Sequence, residues 1–420
     1  MEKVLELCGV KCEYDFIAAW IKYIRLKRGY SQEYVCHGIC SVSYLSSFEN
    51  GKRTLGKEAI EDILKKLDID INESFQGIGM IRYEFNDMLN DIESFNNKGA
   101  EEKYNKLCER RKIIDKSPYS IEFKIYEVFY RYIVKEEKYE TLKKDIDILD
   151  KIINSLDDEL KHLYLGVSGV ILAKIYDIDL GVNRIRKALE IKDTAWTNYS
   201  LGIVLCFSSN PGYGAFYLKK ALYSYESVGR YLNAIWCHNY LGICYVFLKM
   251  YNMAEQEFKA ALNFAEHFDL DEIIADQYDH LSDLYYKVGD YETSLTYSKK
   301  ALEVKPEEIF YIYNYVAACI KLKKEKEYNE MFKKYLSKEY ESSNYYYLFY
   351  SQYLCVCKFD DDIFYETITK TILPYYEKQN EGDICRDLTI KLIEHLEKKR
   401  KYKEANKLYK KMLSKYIAIE

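Results

Sequence analysis

The residues able to do chemistry are present but scattered. Six histidines stand at 37, 162, 238, 267, 280 and 395, with no HExxH pair and no Cys/His cluster at zinc-ligand spacing. Twelve cysteines (8, 12, 36, 40, 108, 206, 237, 244, 319, 355, 357 and 385) include no CxxC pair, and most fall within apolar helical patterns. They read as structural thiols. Cys237 and His238 are neighbours in sequence, and a helix turns neighbours to different faces, which is wrong for a nucleophile and its base. No GxxxxGK[ST], GxGxxG or GxSxG occurs. The expectation is a chain that is not an enzyme and carries no metal or cofactor.

What remains is the chemistry of recognition. Between residues 22 and 53, six cations (Lys22, Arg25, Lys27, Arg28, Lys52 and Arg53) stand against Glu33 and Glu49, a local charge of +4 in a chain of net charge −5. A basic head on an acidic body is the footprint of local nucleic-acid contact. The elements that must position it lie in residues 31–53, SQEYVCHGICSVSYLSSFENGKR. Ser31 is a good N-cap for a short helix running to about His37, and Gly38 can take the positive φ of a sharp reversal. Ser41 caps a second helix with Val42, Leu45 and Phe48 at i, i+3 and i+6, ended by Asn50-Gly51. Two helices joined by a tight glycine-containing turn form a helix-turn-helix, whose second helix enters the major groove. Before it, Ile17, Trp20, Ile21 and Ile24 mark an amphipathic helix ended by Gly29, and Ile60, Ile63, Leu64 and Leu67 mark another over Glu58–Leu67.

Ser31-Gln32-Glu33, Gly38-Ile39-Cys40, Ser43-Tyr44-Leu45-Ser46 and Phe48-Glu49-Asn50-Gly51-Lys52-Arg53 resemble the Cro/C1-type (XRE) helix-turn-helix. More narrowly they resemble the version in the peptide-pheromone-sensing regulators of low-GC Gram-positive bacteria, the Rgg/NprR/PlcR/PrgX (RRNPP) group. The resemblance implies that Arg25 faces Glu49, that Val42, Ser43, Ser46 and Ser47 face the bases with Tyr44 at the edge, and that Gln32, Asn50, Lys52 and Arg53 contact phosphates. None of the base-facing residues is an Arg, Gln or Asn, so specificity should lean on DNA shape and half-site spacing, with strong salt dependence.

From about residue 84 the sequence repeats. Leu201-Gly202 with Gly214, Leu218 and Ala221 recurs as Leu241-Gly242 with Ala254, Phe258 and Ala261, then as Leu281-Ser282 with Ser294 and Ala301, the leucines 40 residues apart. Small residues after the leucine let the helices of a hairpin approach, and later alanines let hairpins stack. This is the tetratricopeptide (TPR) pattern with a few extra residues per unit. With weaker copies elsewhere, about nine helical pairs fill residues 84–420 at ~34–40 residues each. The expected fold is all-α: a Cro/C1-type helix-turn-helix over 1–68, a junction at 69–83 containing Gly77 and Gly79, and a right-handed TPR-like superhelix over 84–420. Residues 1–14 carry no assignment.

In a TPR hairpin the first helix lines the concave side. That register puts Trp196, Tyr199, Ile203 and Phe207 inside, then Trp236, Asn239, Ile243 and Phe247, then Asp276, Asp279, Asp283 and Tyr286. Asn198, Asn239 and Asn314 each precede a tyrosine on a first helix. An asparagine offers donor and acceptor together, so it can pair with the backbone of an extended peptide. In the resembled group groove asparagines hold the peptide, which implies that role for Asn239, with Asn198 and Asn314 beside it. The aromatic positions read equally well as inter-repeat core, and the aspartates as a solvated face. If they line a groove, three carboxylates call for a peptide bearing Lys, Arg or a free N-terminus.

No run approaches the ~20 apolar residues of a membrane helix, and the N-terminus lacks the apolar stretch of a signal peptide. The resulting expectation is a cytoplasmic, homodimeric transcription regulator whose head binds a double-stranded DNA operator and whose body senses a short linear signalling peptide. Two alternatives stand beside it: a TPR module that sequesters a partner protein, its head used for dimerisation, and a phosphatase-type relative acting on a response regulator.

Overall fold

The computed structural model describes residues 14–70, 80–175, 177–208, 210–337, 340, 341, 343, 345–379 and 381–416. The leader at 1–13 and the junction glycines Gly77 and Gly79 lie outside them. Among the described residues the chain forms only helices and turns. It divides into two compact units, Met1–Glu257 and Phe258–Glu420.

The first unit opens with α1 (Tyr14–Lys27), α2 (Gln32–Cys36), α3 (Val42–Glu49) and α4 (Lys57–Lys66). Both serine caps form: Ser31 Oγ accepts from the Tyr34 amide at 3.1 Å and Ser41 Oγ from the Tyr44 amide at 3.2 Å. Gly29, Gly38 and Gly51 take φ of 70°, 75° and 67°, the left-handed conformation each turn requires. Ile17, Trp20, Ile21, Ile24, Leu45, Phe48, Ile60 and Ile63 are buried together. Val42, on the apolar spacing of α3, instead stands 43% exposed.

Next come α5 (Ile81–Glu93) and α6 (Asn97–Glu109), the short α7 (Arg111–Ile114), then α8 (Ser120–Ile133) and α9 (Tyr139–Ile152). The head shares their core. The buried cluster that begins at Ile17 continues through Phe85, Phe123, Phe129 and Leu149 to Ile171, and α1 packs on α8, α9 and the turn at Ile153–Ser155. Lys27 Nζ meets Asp115 Oδ1 at 2.9 Å, and Ser155 Oγ donates to the Glu49 carbonyl at 3.3 Å.

The hairpins α10 (Asp158–Ile175) with α11 (Ile178–Ile191) and α12 (Ala195–Cys206) with α13 (Pro211–Ser227) follow, then α14 (Tyr231–Phe247) and α15 (Tyr251–His267). The small residues do what the repeat demanded. A Cβ on Gly202 would sit 2.6 Å from Leu218 Cγ, and one on Gly214 would sit 2.9 Å from the Gly202 carbonyl oxygen. Gly169 and Gly181 make the equivalent close approach in the preceding hairpin.

The division between units falls within α15. In the second unit α16 (Asp271–Val288) pairs with α17 (Tyr291–Val304), and α18 (Ile309–Lys321) with α19 (Glu325–Tyr335). Ser282 Oγ donates to the Ser294 carbonyl at 2.9 Å, so two serines take the close-approach place that two glycines hold in the first unit. Then come α20 (Tyr346–Cys357), α21 (Asp362–Thr367), α22 (Leu373–Gln379), α23 (Gly382–Lys398) and α24 (Tyr402–Tyr416). A π-turn at Ile368–Ile372 joins α21 to α22 ahead of Pro374, whose ring and missing N–H break the regular i→i−4 ladder.

Candidate functional site

The head's reading face is built from side chains that first brace one another. Arg25 grips Glu49 with both ends of its fork, Nε–Oε1 and Nη2–Oε2 each 2.6 Å, and Glu49 is fully buried. Gln32 Nε2 donates to Glu49 Oε2 at 2.7 Å, and Lys22 Nζ donates to Asn50 Oδ1 at 2.8 Å. Gln32 and Asn50, expected at phosphates, are thus also internal struts. Asn50 Nδ2 donates to the Ser46 carbonyl at 2.8 Å and Ser47 Oγ to the Ser43 carbonyl at 2.9 Å. Val42, Ser43, Lys52 and Arg53 are exposed, whereas Tyr44, Ser46 and Ser47 are half-buried. Tyr44 OH donates to the Thr54 carbonyl at 3.0 Å, and the Arg53 guanidinium lies over the Tyr44 ring, 5.5 Å from its centre. That stack orients the basic loop beside the N-terminal half of α3.

On the first helices of the repeats in unit one, the expected groove residues go separate ways. Trp196 turns to the core, edge-on to Phe129 at 5.0 Å and so close to Gly166 that a Cβ there would meet it at 2.6 Å. Asn198 braces its own helix start, donating to Asp193 Oδ1 at 2.5 Å and to the Thr194 carbonyl at 2.8 Å. It is buried, so its amide group does not present itself to an open groove. Asn239 is also buried, on α14 beside the half-buried Tyr240. Tyr199 and Trp236 belong instead to a ladder of rings. Tyr240 lies 6.0 Å from Tyr199, 6.4 Å from Trp236 and 6.1 Å from Phe207, and Phe207 lies 6.1 Å from Phe247. Ile203 and Ile243 are half-buried along the same helices, and Phe207 and Phe247 are exposed.

One member of that ladder had no signal in the sequence. Phe95, in the corner between α5 and α6, sits 5.6 Å from Trp236 and 6.1 Å from Tyr199. Nor did the spacing reveal a cavity of about 650 Å³ beside Trp196, lined by Glu93, His162, Lys192 and Arg230 among others. Burial pushes the Glu93 carboxyl up while Arg230 pulls it down, and burial holds the His162 imidazole below its usual value.

In unit two the aspartates differ: Asp276 and Asp283 are half-buried, and Asp279 is not on a solvated face. Asp279 is 1% exposed, and burial, with Asp283 and Asp276 adding like charge, pushes its carboxyl well above the usual range although Asn314 holds it. Asn314 Nδ2 donates to Asp279 Oδ1 at 2.8 Å, Tyr311 OH to Asp276 Oδ1 at 2.5 Å, and Lys287 Nζ to Asp283 Oδ1 at 2.6 Å. Tyr286 is half-buried on the same helix. Asp276 and Asp283, half-buried beside Asp279, favour any cation that can reach them.

The helix-turn-helix family (HTH_3) matches residues 21–74. No curated protein matches the sequence. Among solved structures, the apo form of the quorum sensor NprR from B. thuringiensis aligns with a TM-score of 0.63 at 17% identity, covering 80% of this chain and 99% of that one. A Rap protein complexed with competence and sporulation factor gives 0.62 at 17% identity, covering 80% and 96%. NprR in complex with its cognate peptide NprX gives 0.56 at 17% identity, covering 80% and 98%. Over the aligned 80% the chain shares the all-α fold of these proteins; its own helix-turn-helix head is followed by TPR-like hairpins.

Proposed function

We propose that this chain is a cytoplasmic, homodimeric transcription regulator that binds a DNA operator through its head and senses a short signalling peptide through its repeats. It carries out no chemical reaction of its own. The observation that carries the reading is the head itself. Val42 and Ser43, at the exposed start of α3, stand with the exposed Lys52 and Arg53, while the Arg25–Glu49 pair and the core that Leu45 and Phe48 share with the first body helices hold the helix in place. The peptide half of the reading is supported by fold likeness to a quorum sensor solved with its cognate peptide and by the half-buried Asp276 and Asp283 beside the buried Asp279 on α16.

Lys52 and Arg53 supply charge to phosphates, and the small polar residues of α3 read bases weakly, so affinity is dominated by counterion release. Replacing both by alanine should weaken operator binding and reduce the slope of log K against log salt by about 2. Electrophoretic shifts at several salt concentrations measure this, and unchanged shifts would remove the head from DNA binding. Among the described residues no helix is long and apolar enough to cross a membrane, in keeping with a regulator that meets its DNA directly.

The aspartates define the peptide's chemistry. A Lys, an Arg or a free N-terminus facing Asp276 and Asp283 would form charge-assisted hydrogen bonds and draw Asp279 back towards ionisation. Asp276→Asn with Asp283→Asn should cost such a peptide about tenfold or more in affinity, read by calorimetry. An acidic peptide bound equally well by parent and variant would contradict the assignment.

A further inference from the structure

Ser94, Phe95 and Asn96 turn the chain from α5 into α6, and Phe95 adopts φ of 58°, a region few non-glycine residues occupy. The corner is clamped to the start of α14 from a distance of about 140 residues in sequence. Arg230 reaches Glu93 Oε2 at 3.4 Å and donates to Asn90 Oδ1 at 3.1 Å, and Asn233 Nδ2 donates to the Glu93 carbonyl at 2.6 Å. Above this polar clamp the Phe95 ring rests against Trp236 and Tyr199. The aromatic surface does not end there. It runs on through Tyr240 to Phe207 and Phe247, which are 58% and 53% exposed. One end of a row of rings is therefore filled by the chain's own phenylalanine, and the other end stands open.

We infer that Tyr199, Trp236 and Tyr240 form the seat for an aromatic side chain of the peptide ligand, and that Phe95 is its internal stand-in. The inference rests on the peptide-sensing reading above. A peptide presenting Phe, Tyr or Trp takes the ring contacts that Phe95 now makes, and its neighbouring apolar residues lie along Phe207 and Phe247. Occupation of the seat from outside displaces the corner and loosens the α5–α6 hairpin from α14. Phe95 itself shows the chemistry accepted: a flat apolar ring met at tilted and edge-on angles, the arrangement aromatic pairs prefer.

The test uses the full chain, with N-acetyl-phenylalanine amide as probe and N-acetyl-alanine amide as control, followed by titration calorimetry. Phe95→Ala should bind the phenylalanine probe at least tenfold more tightly than the parent and should leave the control unbound. Hydrogen exchange over residues 81–109 should quicken in the same variant. A Phe95→Ala chain that keeps the parent's circular dichroism and melting temperature but gains no probe affinity would overturn the seat. Should Phe95→Ala not fold, Arg230→Gln, which loosens the clamp without touching a ring, is expected to gain at least threefold; no gain there would overturn the proposal equally. Probe capture by Phe95→Ala in a chain that responds to no peptide would count against peptide sensing and leave the seat standing.

Discussion

Arg25 and Glu49 show what one pair of side chains decides. Both are buried, each oxygen of Glu49 accepts from the guanidinium, and Gln32 adds a third hydrogen bond. Removing either partner strands the other charge, so Arg25→Ala or Glu49→Ala should cost ~3–5 kcal/mol, read by urea denaturation. Glu122 and Glu127, both on α8, titrate in opposite directions. Burial pushes Glu122 up to about 7 against the pull of Arg82. Burial also pushes Glu127 up, but Lys124, Arg111 and Tyr104 outweigh it and bring it to about 2. Glu122 binds its proton more tightly when folded, so its contribution is full below about pH 4.5 and is lost as pH rises through 7. Glu127 is the reverse: its contribution is present above about pH 4.5 and is lost as pH falls towards 2. Glu122→Gln should therefore flatten the stability profile between pH 4.5 and 7, removing a total fall on the order of 3 kcal/mol across that window. Thermal melts at stepped pH measure it, and a parent whose stability rises across that window would contradict the burial argument.

At the scale of elements, the hairpins depend on small residues facing each other. The Gly214 backbone lies against that of α12, where a Cβ would come within 2.8 Å of the Cys206 amide nitrogen. Backbone cannot swing aside as a side chain can, so Gly214→Ala should force α12 and α13 apart at a cost of about 1–3 kcal/mol. Helix propensity favours alanine over glycine by about 1 kcal/mol, so a stabilised variant in calorimetry would show that the hairpin is looser than its contacts imply. In unit two the same contact uses Ser282 and Ser294, which replace bare approach with a hydrogen bond. The repeat is conserved in size, not in residue type.

For the molecule, the decisive feature is that the head is not an independent bead. Ile17, Trp20 and Tyr23 of α1 are buried in a core that runs into α8 and α9, and burial together with Asp115 and Asp145 pushes the Tyr23 phenol far up. A fragment of residues 1–70 would leave part of that face in water. It should melt well below the head within the full chain, each uncovered large side chain costing about 1.5–3 kcal/mol. Hydrogen exchange on α1 in fragment and full chain compares them directly; equal protection would mean the head folds alone. Shared core also gives a physical route by which movement of the body reaches α3, since Ser155 holds the Glu49 carbonyl at its end.

What the sequence determined by itself was local. Caps at Ser31 and Ser41, the turns at Gly38 and Gly51, and the spacing of leucines 40 residues apart are written within single helices and hairpins. Resemblance to a known group added the Arg25–Glu49 pair. Helical periodicity says which face of an element is apolar, but not what will lie against it. That is why Trp196 and Trp236, equivalent in register, part company: one meets Phe129 in the core and the other meets Phe95. It is also why Asn198 is spent on its own helix and Asp279 is buried where a solvated face was possible. Those outcomes depend on stacking between helices far apart in sequence, set by the packing of many side chains at once, and only the tertiary structure decides them.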